Sequence, residues 1–186
     1  LLDVLNKHFQ ESLNITKTRS TLLQGAYFGA YFLIALPAGI FMNRFGYKKG
    51  IILGLLLYTT GAFLFYPSAQ LASFNFFLLS LFILASGLTF LETAANPYVT
   101  VLGKPETSEF RLNLSQSFNG VGSFIGPIIA ANLFFGANTA SEGLGSVKIV
   151  YLVIGGIVLA IAVLFWRTWL PEIKESELVS TPIQDQ

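Results

Sequence analysis

The chain has 186 residues, of which 53% are hydrophobic and only 11% charged. A soluble domain carries roughly a quarter charged residues, so this composition belongs in a membrane. A net charge of +1 gives no reason to expect nucleic acid as a partner. Without cysteine there is no disulfide frame or thiolate chemistry, and one histidine leaves no dedicated zinc site.

The chain opens at Leu1 with no basic segment leading into an apolar one, which is not the pattern of a signal peptide. It reads as a fragment whose beginning has been cut away. Residues 1–14 read as the end of a partial helix, with Leu2, Leu5 and Phe9 at helical spacing. Asp3 lies inside the membrane if apolar residues precede it and on an exposed helix face if they do not. Spacing leaves both open. His8, between Lys7 and Glu11, reads as interfacial and is assigned no role.

The next helix is expected over 18–43, capped by Thr18 or Ser20, with no charge between Arg19 and Arg44. Gln24, Tyr27 or Phe28, and Tyr31 share one face. They form either an aromatic packing stripe or a wall facing a sugar or drug. Gly25, Gly29, Ala35 and Gly39 predict close helix approach, and Pro37 predicts a bend. Gly39-Ile-Phe-Met-Asn43-Arg44-Phe-Gly46-Tyr-Lys48-Lys49 is a short basic link of the kind that prefers the cytoplasm. In it Gly46 supplies a turn, and Arg44 complements the dipole at a helix carboxyl end.

A helix over 48–67 follows, with Pro67 and Ser68 expected to open an uncharged outer turn. The helix over 74–102 organises the rest. No charge occurs between Lys49 and Glu92, so Glu92 falls near mid-bilayer, where an ionisable group costs about 2.5–3.5 kcal/mol or more. Such a residue persists mainly where it faces a cavity, a partner or a transport path. A neutral acid bonded to a neighbouring helix is the plainer reading; a carboxyl that titrates or binds a polar solute is preferred. Asn96 lies one turn further on the same face, and Pro97 removes a backbone donor beside it.

A second polar link carries Lys104, Glu106, Glu109 and Arg111. The helix over 109–136 presents Asn113, Gln116 and Asn119 at three-residue spacing. This stripe is either interhelical glue or, preferably, the polar wall of an aqueous cavity. Gly122 and Gly126 predict a small-residue face and Pro127 a kink. Residues 136–147 read as an outer loop and 148–170 as the last helix, anchored by Trp166 and Trp169 beside Arg167. Residues 171–186 read as a polar, frayed cytoplasmic tail or linker. The expected architecture is thus all-α: five complete spans and a partial one in a bundle over 1–170. With the 44–49 link inside, seven Lys and Arg lie inside (44, 48, 49, 104, 111, 167, 174) and four outside (7, 17, 19, 148).

The basic link resembles the signature loop of the major facilitator superfamily, G-x-x-x-D/N-R-x-G-x-K/R-K/R, in Gly39, Asn43, Arg44, Gly46, Lys48 and Lys49. Asn43 replaces the commoner Asp, which puts the charge relay of the inward gate in doubt. Within the superfamily the chain is similar to the fucose permease and glucose/galactose transporter group. The resemblance runs from Leu2-Asp3 to about Ala137, through LPAGIFMNRFGYKKG, LETAANPYVTVLG and FRLNLSQSFNGVG. It implies the amino-terminal six-helix half of a proton–sugar symporter, built as a three-plus-three inverted repeat and set in the bacterial inner membrane. Its partners are then a monosaccharide, the proton as coupling ion, membrane lipid and a carboxy-terminal half; no cofactor is implied. Asp3 and Glu92 match the acids that face the central cavity, Asn119 matches a cavity amide and Gln116 lies one turn before it. Asn96, Gln24 and Tyr31 complete the candidate substrate-binding set, with Tyr31 or Phe28 stacking on a pyranose ring.

Two other functions compete. A drug or metabolite antiporter of the same superfamily is favoured by Gly122, Gly126 and Pro127, but Ile128-Ile129-Ala130-Ala131 lacks the later glycines of that motif. A non-transporting membrane assembly predicts that the polar residues are consumed in helix contacts. No nucleophile–base pair, metal cluster or phosphate loop supports an enzyme.

Overall fold

The computed structural model describes residues 7, 16–135 and 145–173. Asp3 and His8 lie outside the described residues, as do 136–144 of the expected outer loop and 174–186 of the expected tail. Backbone groups in hydrocarbon must be satisfied within the segment, so long apolar stretches close into helices. Five are described: α1 (Lys17–Phe45), α2 (Tyr47–Gln70), α3 (Phe74–Val101), α4 (Ser108–Phe135) and α5 (Gly145–Arg167). A 3₁₀ turn, Pro105–Thr107, leads into α4. Among the described residues α1, α2, α3 and α5 are long and apolar enough to cross a membrane. α4 has 28 residues, about 42 Å at 1.5 Å per residue, but its amide stripe dilutes its apolar character.

α3 packs against α1, α2 and α4, and α2 also packs against α5. Two apolar clusters fill the interior. One holds Leu23, Phe65, Phe77, Leu84, Ala130 and Tyr151. There the fully buried Tyr151 ring stacks on Phe65 at 3.9 Å, nearly parallel. The other holds Met42, Tyr47, Ile51, Phe90, Ala94, Tyr98 and Ala162 at the end carrying the basic link.

The close helix approaches are not at the glycines expected from sequence. A side chain on Gly25, Gly29, Gly39, Gly122 or Gly126 meets nothing within 4 Å among the described contacts. The tight seam is between α2 and α3. A Cβ on Gly61 would stand 2.6 Å from Leu84 Cα, and one on Gly87 2.6 Å from the Gly54 carbonyl oxygen. Dispersion between touching backbones replaces the missing hydrophobic drive between helices in lipid.

Pro67 and Ser68 do not open a turn. α2 continues to Gln70, and the turn is Leu71–Ser73, with Ala72 at φ 45. Burial explains the extension. Ser68 is fully buried, 2.9 Å from the buried Ser80 hydroxyl of α3 and 2.6 Å from the Leu64 carbonyl one turn back. Ser80 reaches the Phe76 carbonyl at 2.8 Å, so each hydroxyl has a partner inside an apolar cluster. At the other end of the chain, Thr18 and Ser20 fall inside α1 rather than at its cap.

Candidate functional site

α1 and α4 flank α3, while α2 and α5 lie behind. The front of α3 therefore faces away from the packed interior, and there Glu92 is exposed and Asn96 half-buried. From α1, the Tyr31 hydroxyl donates to Glu92 Oε1 at 3.1 Å. Behind it, the Tyr27 and Tyr31 hydroxyls lie 3.3 Å apart. From α4, Gln116 Nε2 donates to Asn96 Oδ1 at 2.8 Å. Three helices thus bring a carboxyl, two phenols and two amides into one row along the front of α3.

The local reasons are simple. Tyr27 and Tyr31 are one turn apart, so their rings share a face with centroids 5.1 Å apart. Glu92 and Asn96 have the same spacing on α3. Pro97 sits within α3 without ending it, and Thr100 Oγ1 donates to the Pro97 carbonyl at 2.7 Å.

Tyr31, expected to stack on a sugar ring, packs its ring on Tyr27 and spends its hydroxyl on Glu92. Phe28 remains 63% exposed, its ring edge-on to Tyr27. Asn113 and Asn119 are exposed on α4 to either side of Gln116. Gln24 is half-buried, two turns along α1 from Tyr31. Among the described hydrogen bonds neither Gln24 nor Asn119 joins the row.

The row can change partners. An ionised Glu92 accepts from Tyr31 and keeps a second oxygen for another donor. A protonated one donates instead. The Asn96–Gln116 pair leaves the Asn96 amide nitrogen and the Gln116 carbonyl oxygen available. No group of three or more metal-binding side chains occurs among the described residues.

The basic link is a second polar centre. Gly39 is half-buried, while Asn43 and Arg44 are exposed, with the Arg44 guanidinium 5.3 Å from the Phe45 ring centroid. Gly46 is buried at φ 93 and precedes the first residue of α2. The chain after α5 runs beneath this turn. Lys48 Nζ donates to the Thr168 carbonyl at 2.9 Å, Tyr47 N to the Ile173 carbonyl at 3.1 Å and Lys49 N to Glu172 Oε1 at 3.2 Å. Tyr98 of α3 donates to the Pro171 carbonyl at 2.7 Å. Residues 171–173 are therefore docked, which corrects the expectation of a frayed tail for that part.

Sequence reading also missed Arg111, taken only as an inside charge. Its Nε donates to the Val99 carbonyl at 3.0 Å and its Nη2 to the Thr100 carbonyl at 2.6 Å, so it closes the end of α3. Its Nη1 reaches the Lys104 carbonyl at 3.0 Å and the Thr107 hydroxyl. The available signal was weak: an Arg in the first turn of α4, a short link away from the end of α3.

Comparison with known proteins agrees with this architecture. The Major Facilitator Superfamily model matches residues 1–185. The chain is 40% identical over 180 residues to a glucose/galactose transporter of Brucella abortus, covering 95% of this chain and 44% of the relative. It is 40% identical over 192 residues to the L-fucose-proton symporter of Escherichia coli K12, covering 94% of this chain and 44% of the relative. Among solved structures it is similar to the major facilitator transporter FucP in the outward conformation. There the TM-score is 0.79 at 39% identity, over 92% of this chain and 46% of the other. The chain spans less than half the length of each of these relatives.

Proposed function

From the premise that this chain belongs to the major facilitator superfamily, we propose that it forms the amino-terminal half of a proton-coupled sugar symporter. The carrying observation is Glu92, a carboxyl open on the front of α3 and bonded to Tyr31 of α1, beside an Asn96 amide bonded to Gln116 of α4. A drug pocket would be more apolar than a row of Tyr31, Glu92, Asn96 and Gln116. An assembly protein would bury these groups between helices, whereas Glu92 and Gln116 are exposed.

The proposed cycle follows from the donors present. Protonated Glu92 donates to a sugar hydroxyl, while Tyr31 and the Asn96–Gln116 pair hold neighbouring hydroxyls. Release of the proton toward the inside replaces that donor with a carboxylate that Tyr31 recaptures, so the hold on the sugar weakens and both leave. Asp3 is proposed as the second coupling acid; Gln24 and Asn119 are proposed to line the wider cavity. Gly39, Asn43, Arg44, Gly46, Lys48 and Lys49 are proposed as the gating turn on the inner face. The spans and inside placement of the 171–186 segment complete the proposal, with the carboxy-terminal half closing the cavity and the membrane lipid around it. The sugar is of fucose, glucose or galactose type, and the proton is the coupling ion.

The test is uptake into vesicles by the full-length protein under an imposed pH gradient. Glu92→Gln abolishes accumulation while expression holds. Normal accumulation by that variant overturns the assignment. Asp3→Asn keeps sugar exchange and loses uphill uptake. Competition by fucose, galactose and glucose against one labelled sugar identifies the substrate.

A further inference from the structure

We propose that Glu172 is a positioning residue that fixes the α1–α2 turn from beneath, with Tyr98 holding the segment that carries it. The consequence for transport rests on the symporter reading; the positioning itself does not.

The first backbone N–H groups of a helix have no partner within it. At α2 the preceding residue is Gly46, whose side chain cannot cap. Two of the open donors are instead met by a distant segment, Tyr47 N by the Ile173 carbonyl and Lys49 N by the Glu172 carboxylate. A negative charge at that end also complements the helix dipole.

Gly46 is what admits the carboxylate. A Cβ on residue 46 would collide with Glu172 Oε1, and the φ of 93 is one that side chains resist. The fit is reciprocal. Lys48, from the start of α2, donates to the Thr168 carbonyl just past the end of α5, where helix carbonyls lack partners. Tyr98 fixes Pro171 to the end of α3. Residues 168–173 thus strap the starts and ends of three helices together. Residues 39–49 contain no acid; the carboxylate at this turn comes from a segment more than 120 residues later.

In a transporter the strap sets where the turn stands when the two halves meet. Loosening it changes how fast the protein switches rather than how well it binds sugar.

Amide hydrogen exchange on the full protein in lipid nanodiscs tests the positioning without any sugar. In Glu172→Ala the amides of Tyr47 and Lys49 exchange roughly tenfold faster, the size expected for losing a charge-assisted bond. Amides at Phe77 and Leu84 keep their wild-type rate. Unchanged exchange at 47 and 49 in that variant overturns the proposal. Should Glu172→Ala fail to fold, Tyr98→Phe loosens the same segment, with an expected rise of about threefold at the same amides; no rise overturns the proposal. Combining Gly46→Ala with Glu172→Ala gives a second check: the loss from Gly46→Ala shrinks when the carboxylate is gone, and full additivity overturns the fit.

For transport, Glu172→Ala lowers the maximal uptake rate several-fold while half-saturation stays within about twofold. A half-saturation change with the rate unaltered overturns the switching role. Absence of sugar transport alongside the expected exchange pattern rejects the symporter reading and leaves the strap in place.

Discussion

The polar row on the front of α3 and the strapped turn at the end of the bundle use hydrogen bonds in opposite ways. In the row, side chain meets side chain: Tyr31 with Glu92, and Gln116 with Asn96. Each pair retains unused donors or acceptors and each is open on one side, so an incoming solute can take a place in it. At the turn, every bond of the strap has a backbone group at one end, and the atoms interlock around Gly46. Backbone partners are offered only in one geometry, so that region holds a position. The first kind of polar centre suits exchange of partners, and the second suits anchorage.

Substitutions that separate these two behaviours sharpen the contrast. The largest effect is expected from Glu92→Gln, which removes the carboxyl proposed to carry the proton and abolishes proton-driven accumulation. Its thermal stability should remain within about 0.5 kcal/mol of wild type, since the site is open. A large stability loss instead would make Glu92 an anchor and erase the distinction.

Gly46→Ala should do the reverse. Strain at positive φ and the collision with Glu172 destabilise the protein by about 1–3 kcal/mol. This is read as a lowered midpoint of unfolding, with sugar affinity retained. Gln116→Leu comes next: it leaves the Asn96 carbonyl without its donor and weakens sugar binding by about tenfold in equilibrium titration. Tyr31→Phe is the mildest. It keeps the ring that packs on Tyr27, removes the hydroxyl facing Glu92, and shifts sugar affinity by about threefold. A fall in stability larger than its change in affinity would move Tyr31 from the row to the structural group.

The row was legible in the sequence because polar residues in an apolar stretch announce themselves. Glu92, Asn96 and Gln116 stand out by contrast, and helical spacing assigns faces without any knowledge of neighbours. Pairing was less legible. The sequence offered Tyr31 as a stacking surface, and only the approach of α1 to α3 shows its hydroxyl aimed at a carboxyl. The strap was not legible at all. Its contacts join residues at least 73 apart and end largely on backbone atoms, which carry no sequence identity; Glu172 alone reads as one acid in a polar tail. Helix seams failed for a related reason. Small-residue spacing occurs in α1, α2 and α4 alike, and nothing local says which glycines face another helix. Pro67 misled because a proline reads as a stop, whereas the buried Ser68–Ser80 contact carries α2 one turn further.

The seam at Gly54, Gly61 and Gly87 has a mechanical side. With no side chain interposed, each helix seats in a notch of its neighbour's main chain at two separate heights. A bearing keyed at two points can neither roll nor slide, so α2 and α3 travel as one plank whenever the molecule changes shape. The freedom to tilt is left to α1 and α4 at its margins, and those helices carry Tyr31 toward or away from Glu92 and Gln116 toward or away from Asn96.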